Sequence, residues 1–70
     1  MMFEMEIKGQ LNISDRTLLS GIPLYDSIPK HISCENKTYN VIGISYGISP
    51  PYISLEIEKT KDNLIGKKII

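Results

Sequence analysis

From residue 3 to residue 13 apolar and polar side chains alternate, broken only by Gly9. Phe3, Met5, Ile7, Leu11 and Ile13 fall on one side; Glu4, Glu6, Lys8, Gln10 and Asn12 fall on the other. Successive side chains of a strand point to opposite faces, so this period of two predicts one long strand with a buried and a wet face. Residues 52–58 repeat the pattern, with Ile53, Leu55 and Ile57 expected inside and Ser54, Glu56 and Glu58 outside. After a polar turn at Ser14-Asp15, residues 16–24 predict a second strand whose apolar content is Leu18, Leu19 and Ile22, with Gly21 marking a bulge or bend. Pro23 and Pro29 bracket residues 24–28, expected to be irregular because proline removes a ladder donor.

A short strand over residues 30–34 leads into Glu35-Asn36-Lys37, a hairpin turn in which asparagine tolerates positive φ. Residues 38–46 form the next strand, with Tyr39, Val41 and either Ile42 or Ile44 inward. Gly47-Ile48-Ser49-Pro50-Pro51 is a loop by its glycine and paired prolines. Residues 59–63 make a polar turn before a last short strand at 67–70. No segment carries a sustained helical period with a cap at its start. The pattern therefore predicts an all-β chain of six short strands, a small antiparallel barrel either closed or partly open.

The order of these signals resembles the second, β-barrel domain of translational GTPases such as elongation factor Tu. That family follows its first long strand with a Gly-Arg-Gly-Thr-Val-Val-Thr-Gly type segment; here Ser14-Asp15-Arg16-Thr17-Leu18-Leu19-Ser20-Gly21 takes that place. Tyr25-Asp26 stands where the family has Gly-Asp. Its late Asp-Ile-x-x-Gly-x-x-Ile pattern is met by Asp62, Leu64, Gly66 and Ile69, after the apolar strand Ile53-Ser54-Leu55-Glu56-Ile57. The resemblance runs over residues 3–69. It departs in a shortened hairpin between the second and third strands and in Ser14 and Arg16 at glycine positions. The Gly-x-x-x-x-Gly-Lys-Ser/Thr loop that cradles phosphates is absent, so the resemblance implies a barrel and not a GTPase. No contact residue of the family is carried over to this chain.

Composition narrows the classes. At 70 residues the chain reads as one domain, small enough to bury only roughly 60% of its unfolded surface. Apolar residues at 41% and charged residues at 23% are a globular balance. Eight basic and eight acidic residues cancel, so the chain lacks the global basic excess of a nucleic-acid binder; Lys67-Lys68 is the one adjacent basic pair and reads as a solvated strand end. A single cysteine, Cys34, excludes an internal disulfide and suits a reducing compartment. There is no apolar run of membrane-spanning length and no basic, apolar signal-type start, so the expected location is the cytoplasm and no membrane partner is expected.

Candidate chemistry is sparse. His31 and Cys34 are the one pair that suggests nucleophilic catalysis, but a separation of three puts strand side chains on opposite faces. One histidine and one cysteine fall short of a zinc ligand set, so no catalytic residue, metal or cofactor is assigned. Glu4, Glu6, Glu56 and Glu58 lie at alternate outward positions, either as a solvated, partly paired face or as an acidic patch for a basic partner. The partner-binding candidates are Tyr46, Ile48, Pro50, Pro51 and Tyr52. Tyrosine is enriched at interface hot spots, and prolines lower the entropy cost of ordering a loop. The same rings could cover a barrel mouth or stack on single-stranded bases, although no arginine accompanies them. The expected function is a non-enzymatic interaction module for a protein or ribonucleoprotein partner, the ribosome or another RNA being the weaker candidate. The alternative is an immunity protein or antitoxin that neutralises a toxin by direct binding. An open edge at 67–70 leaves both monomer and homodimer as expected states.

Overall fold

The computed structural model of the chain describes residues 3–46 and 51–70. Among these there are eight strands and no helix: β1 (Phe3–Glu6), β2 (Gly9–Ile13), β3 (Arg16–Gly21), β4 (Pro23–Tyr25), β5 (His31–Cys34), β6 (Lys37–Ser45), β7 (Ile53–Glu58) and β8 (Lys68–Ile69). With no helix described, none is long and apolar enough to cross a membrane. The strands pair antiparallel in two sheets, a three-stranded one ordered β4-β1-β8 and a five-stranded one ordered β2-β3-β7-β6-β5. The all-β class thus holds, but the ladders form two sheets and no closed barrel.

The number of strands exceeds six because both long N-terminal runs are broken where they pass from one sheet to the other. Residues 3–13 divide at Ile7-Lys8 into β1 and β2, and residues 16–25 divide at Ile22 into β3 and β4. The stretch 24–28 expected to be irregular therefore begins within a strand, with Phe3 opposite Tyr25, Glu4 opposite Leu24 and Met5 opposite Pro23. Proline is tolerated there because β4 is the edge of its sheet.

The break in the first run overturns half of its expected inner face. Phe3, Met5 and Ile7 are buried, but Leu11 is 58% and Ile13 40% exposed. Between them the Lys8 N–H donates to the Ser20 carbonyl at 2.8 Å while Gly9 stands opposite Ser20, so one residue is gained on this strand. An extra residue reverses which parity faces the core. Beyond it Gln10 and Asn12 share the face of their partners Leu19 and Thr17, Gln10 half-buried and Asn12 still exposed. A second irregularity between Val41 and Gly43 does the same in β6, carrying Ile44 to the core and leaving Ile42 49% exposed. In β3 the inward set is Thr17, Leu19 and Gly21, while Leu18 and Ile22 stay outside the core.

The core gathers Phe3, Met5 and Ile7 from the N-terminal run with Leu19, Ile32, Cys34, Tyr39, Ile53, Leu55, Ile57, Leu64 and Ile69. Its floor is held by a polar relay. Fully buried Thr17 donates its hydroxyl to Asn12 Oδ1 at 2.8 Å and accepts the Thr60 N–H at 3.0 Å. Gln10 donates Nε2 to the Asp62 carbonyl at 2.7 Å and accepts the Leu64 N–H at 2.8 Å. The segment after β7 is thereby laced under β2 and β3 without being a strand, with its buried polar groups paired.

Two tight features fix the ends of the strands. Glu35 (φ 50°) and Asn36 (φ 70°) occupy the left-handed region between Cys34 and Lys37, the two-residue hairpin geometry that matches strand twist. At the C-terminus the Ser33 N–H donates to the Ile70 carbonyl at 2.7 Å and the Ile70 N–H returns to the Ser33 carbonyl at 3.1 Å. With β8 also paired to β1, the C-terminal segment bridges the two sheets. The edge expected to be open at residues 67–70 is therefore occupied.

Candidate functional site

Tyr25 ends β4, Tyr46 follows β6, and Pro51 and Tyr52 precede β7, so three separate parts of the chain meet at one end of the molecule. There they line an open groove of about 290 Å³ with Pro23 and Ile53. Tyr46 is 61% exposed and Tyr52 38%. The Tyr25 ring is braced from behind by Phe3, their centroids 6.1 Å apart and planes tilted by 55°, a favourable arrangement for the ring quadrupoles. A hydrogen bond between the Tyr46 and Tyr25 side chains pushes the Tyr46 phenol above its ordinary value, burial adding less. The ends of Tyr25 and Tyr46 thus lie together, and all three tyrosines stay exposed.

Of the loop residues expected to bind a partner, the groove brings together Tyr46, Pro51 and Tyr52. Ile48 and Pro50 lie outside the described residues. Pro23 and Tyr25 were not among the expected binding residues: Pro23 fell near the end of the expected strand 16–24 and Tyr25 in the irregular stretch 24–28, and pairing of β4 with β1 is what carries both to the groove.

The four glutamates do not form one acidic face. Glu4 and Glu6 lie in the three-stranded sheet, Glu56 and Glu58 in the five-stranded one. Each has a partner: Lys68 3.7 Å from Glu4, Lys8 3.1 Å from Glu6, the Arg16 guanidinium on Glu56, and the Asn40 N–H donating to Glu58 at 2.9 Å. Arg16 also holds the Asp15 carboxyl below its ordinary value. In β5, His31 is exposed and Cys34 buried, on opposite faces as their spacing requires; burial pushes the Cys34 thiol up.

A second polar group lies at the far end. Asp62 accepts the Tyr39 hydroxyl at 2.7 Å and the Lys37 ammonium at 2.9 Å, which hold its carboxyl down to about 2. Tyr39, buried and facing that carboxylate, is pushed up to about 12. Both shifts strengthen the charge state already present at neutral pH, so the group fastens the floor segment rather than exchanging protons. No protein-family model, no curated protein and no solved structure matches this chain.

Proposed function

We propose that this protein is a non-enzymatic interaction module that takes an extended, apolar segment of a partner protein into the Tyr25–Tyr46–Tyr52 groove. The observation that carries the reading is the convergence of three tyrosines and two prolines on one open surface. Aromatic-lined grooves flanked by proline suit extended segments, since rigid rings present large contact area at small entropic cost. The size of the groove favours a segment over a small molecule. At about 290 Å³ it falls at or below the roughly 300–1,000 Å³ of pockets that enclose drug-sized ligands, and it takes one or two side chains. The likeness to a translation-factor barrel domain belongs to the same proposal. It is supported by strand runs that continue from one sheet to the other and by the Ser33–Ile70 bridge, which together approximate a partly open barrel.

Affinity capture from native extract, identified by mass spectrometry, tests the reading when repeated with Tyr46→Ala and Tyr52→Ala. Loss of a hot-spot ring costs about 2 kcal/mol or more, so captured partners should weaken at least about thirtyfold. Unchanged capture of every partner by both variants would refute the groove. If the captured protein is an enzyme silenced by stoichiometric addition of this chain, the module is a neutraliser rather than an adaptor.

A further inference from the structure

The four sheet margins differ in how they are protected. β5 is paired on its outer side at Ser33 by Ile70, β8 shares that bridge, and β4 is short and carries Pro23. β2 is terminal in the five-stranded sheet, and its sequence, Gly-Gln-Leu-Asn-Ile, has neither charge nor proline. Among the described residues no backbone hydrogen bond reaches its outer margin. Charges, prolines and covering segments are the usual means of blocking such an edge. Here they are missing on the strand that also exposes Leu11 and Ile13.

We propose that β2 is the interface for a second copy of this chain, the two β2 strands pairing antiparallel about a two-fold axis at Leu11. The register follows from the hairpin. Ile13 faces Arg16 across the two-residue turn and Leu11 faces Leu18, so these positions bond inward to β3. Alternation then turns the N–H and C=O of Gln10 and Asn12 to the free margin. A two-fold at Leu11 sets Gln10 against Asn12 of the second copy, twice, for four backbone hydrogen bonds that use the whole strand. It also makes Leu11 a close, non-hydrogen-bonded pair with its own copy, extending an apolar row from Leu18 through both Leu11 side chains to the second Leu18.

Charge selects this register. One step beyond the strand, Lys8, already paired with Glu6, comes beside Ser14-Asp15 of the second copy, where Asp15 already holds Arg16, so opposite charges join existing pairs at both ends of the interface. Centring the axis on Asn12 instead would bring Lys8 against Arg16. Such a contact buries less than a standard interface of about 1,600 Å², so the dimer should be weak, half formed between about 10 μM and about 1 mM.

Sedimentation equilibrium across that range should show the mass rising from monomer toward dimer. Leu11→Lys, at an exposed position, should keep the wild-type melting temperature and remain monomeric. Leu11→Cys should oxidise to a covalent dimer, while Leu24→Cys, equally exposed on the edge of the other sheet, should not. A wild-type mass that stays monomeric at about 1 mM, a Leu11→Lys variant that dimerises like wild type, or cross-linking at Leu24 as ready as at Leu11 would each overturn the proposal.

Discussion

Gly21 stands where β3 bends into β4 and β1 passes over it, and replacing it with alanine tests the two-sheet packing at its closest point. A Cβ there would lie 2.3 Å from the Glu6 carbonyl oxygen, 2.9 Å from Met5 Cγ and 3.2 Å from Met5 Sδ. Carbon and carbonyl oxygen approach no nearer than roughly 3.3 Å, so β1 must retreat by about 1 Å. Met5 can change rotamer, but the Glu6 carbonyl is backbone and belongs to a strand paired on both sides. Overpacking of this kind costs about 3 kcal/mol, and the reduced freedom of the unfolded chain returns about 1 kcal/mol. The net loss of about 2 kcal/mol corresponds to a fall in melting temperature of roughly 8–16 °C for a chain of this size. Gly43→Ala is the internal comparison, since its Cβ meets the Glu56 carboxylate at an ordinary 3.6 Å. That variant should melt at the wild-type temperature or a few degrees above. Thermal unfolding followed by circular dichroism reads both. If Gly21→Ala melted within about 3 °C of wild type, or Gly43→Ala fell as far as Gly21→Ala, the close approach of β1 to β3 would be wrong.

Two pH dependences follow from the Tyr39–Asp62 contact. Tyr39 has its folded value raised from 10.0 to about 12, so it supports folding fully below pH 10 and that support is lost as pH rises through about 12. Ultraviolet titration should show one of the four tyrosines ionising last, and Tyr39→Phe should remove that step. Asp62 has the opposite sign: its folded value is lowered from 3.8 to about 2, so its contribution is present above pH 3.8 and lost as pH falls through about 2. Melting temperature measured against pH should drop across that window in wild type and less steeply in Asp62→Asn; equal slopes would show that the carboxylate does not hold the segment.

What could be read from the sequence was what two-fold periodicity reports without error. β1 and β7 bury the odd-numbered residues that alternation assigned to them, and the turn at Glu35-Asn36 has the positive φ its asparagine suggested. Leu11 and Ile13 went astray because alternation cannot register an extra residue, and one at Lys8-Gly9 exchanges the faces of everything after it until the turn. Val41-Ile42 is the same case, although there both Ile42 and Ile44 stood open as inward candidates and Ile44 proved to be the one. Thr17 was invisible for another reason. A buried hydroxyl is stable only with partners, and its partners, Asn12 and Thr60, lie in other segments. Within the groove, Tyr46 and Tyr52 were legible as aromatics flanking a proline loop. Tyr25 depended on pairing between β4 and β1, a contact that no local pattern announces.

The bridge formed by the C-terminal residues has a kinetic consequence. β8 pairs with β1, and Ile70 with Ser33, so the three-stranded sheet forms only after segments about as far apart as the chain allows have met. Loop closure over such separations must be paid before any contact returns energy, which places folding among the slower, millisecond-to-second class of small domains. The same wiring makes opening collective. Releasing β8 frees one side of β1 and the outer side of β5 at Ser33 together, so the loss of one short strand loosens an element of each sheet. Amides of β1 and β5, which belong to separate ladders, should then lose protection in the same opening event.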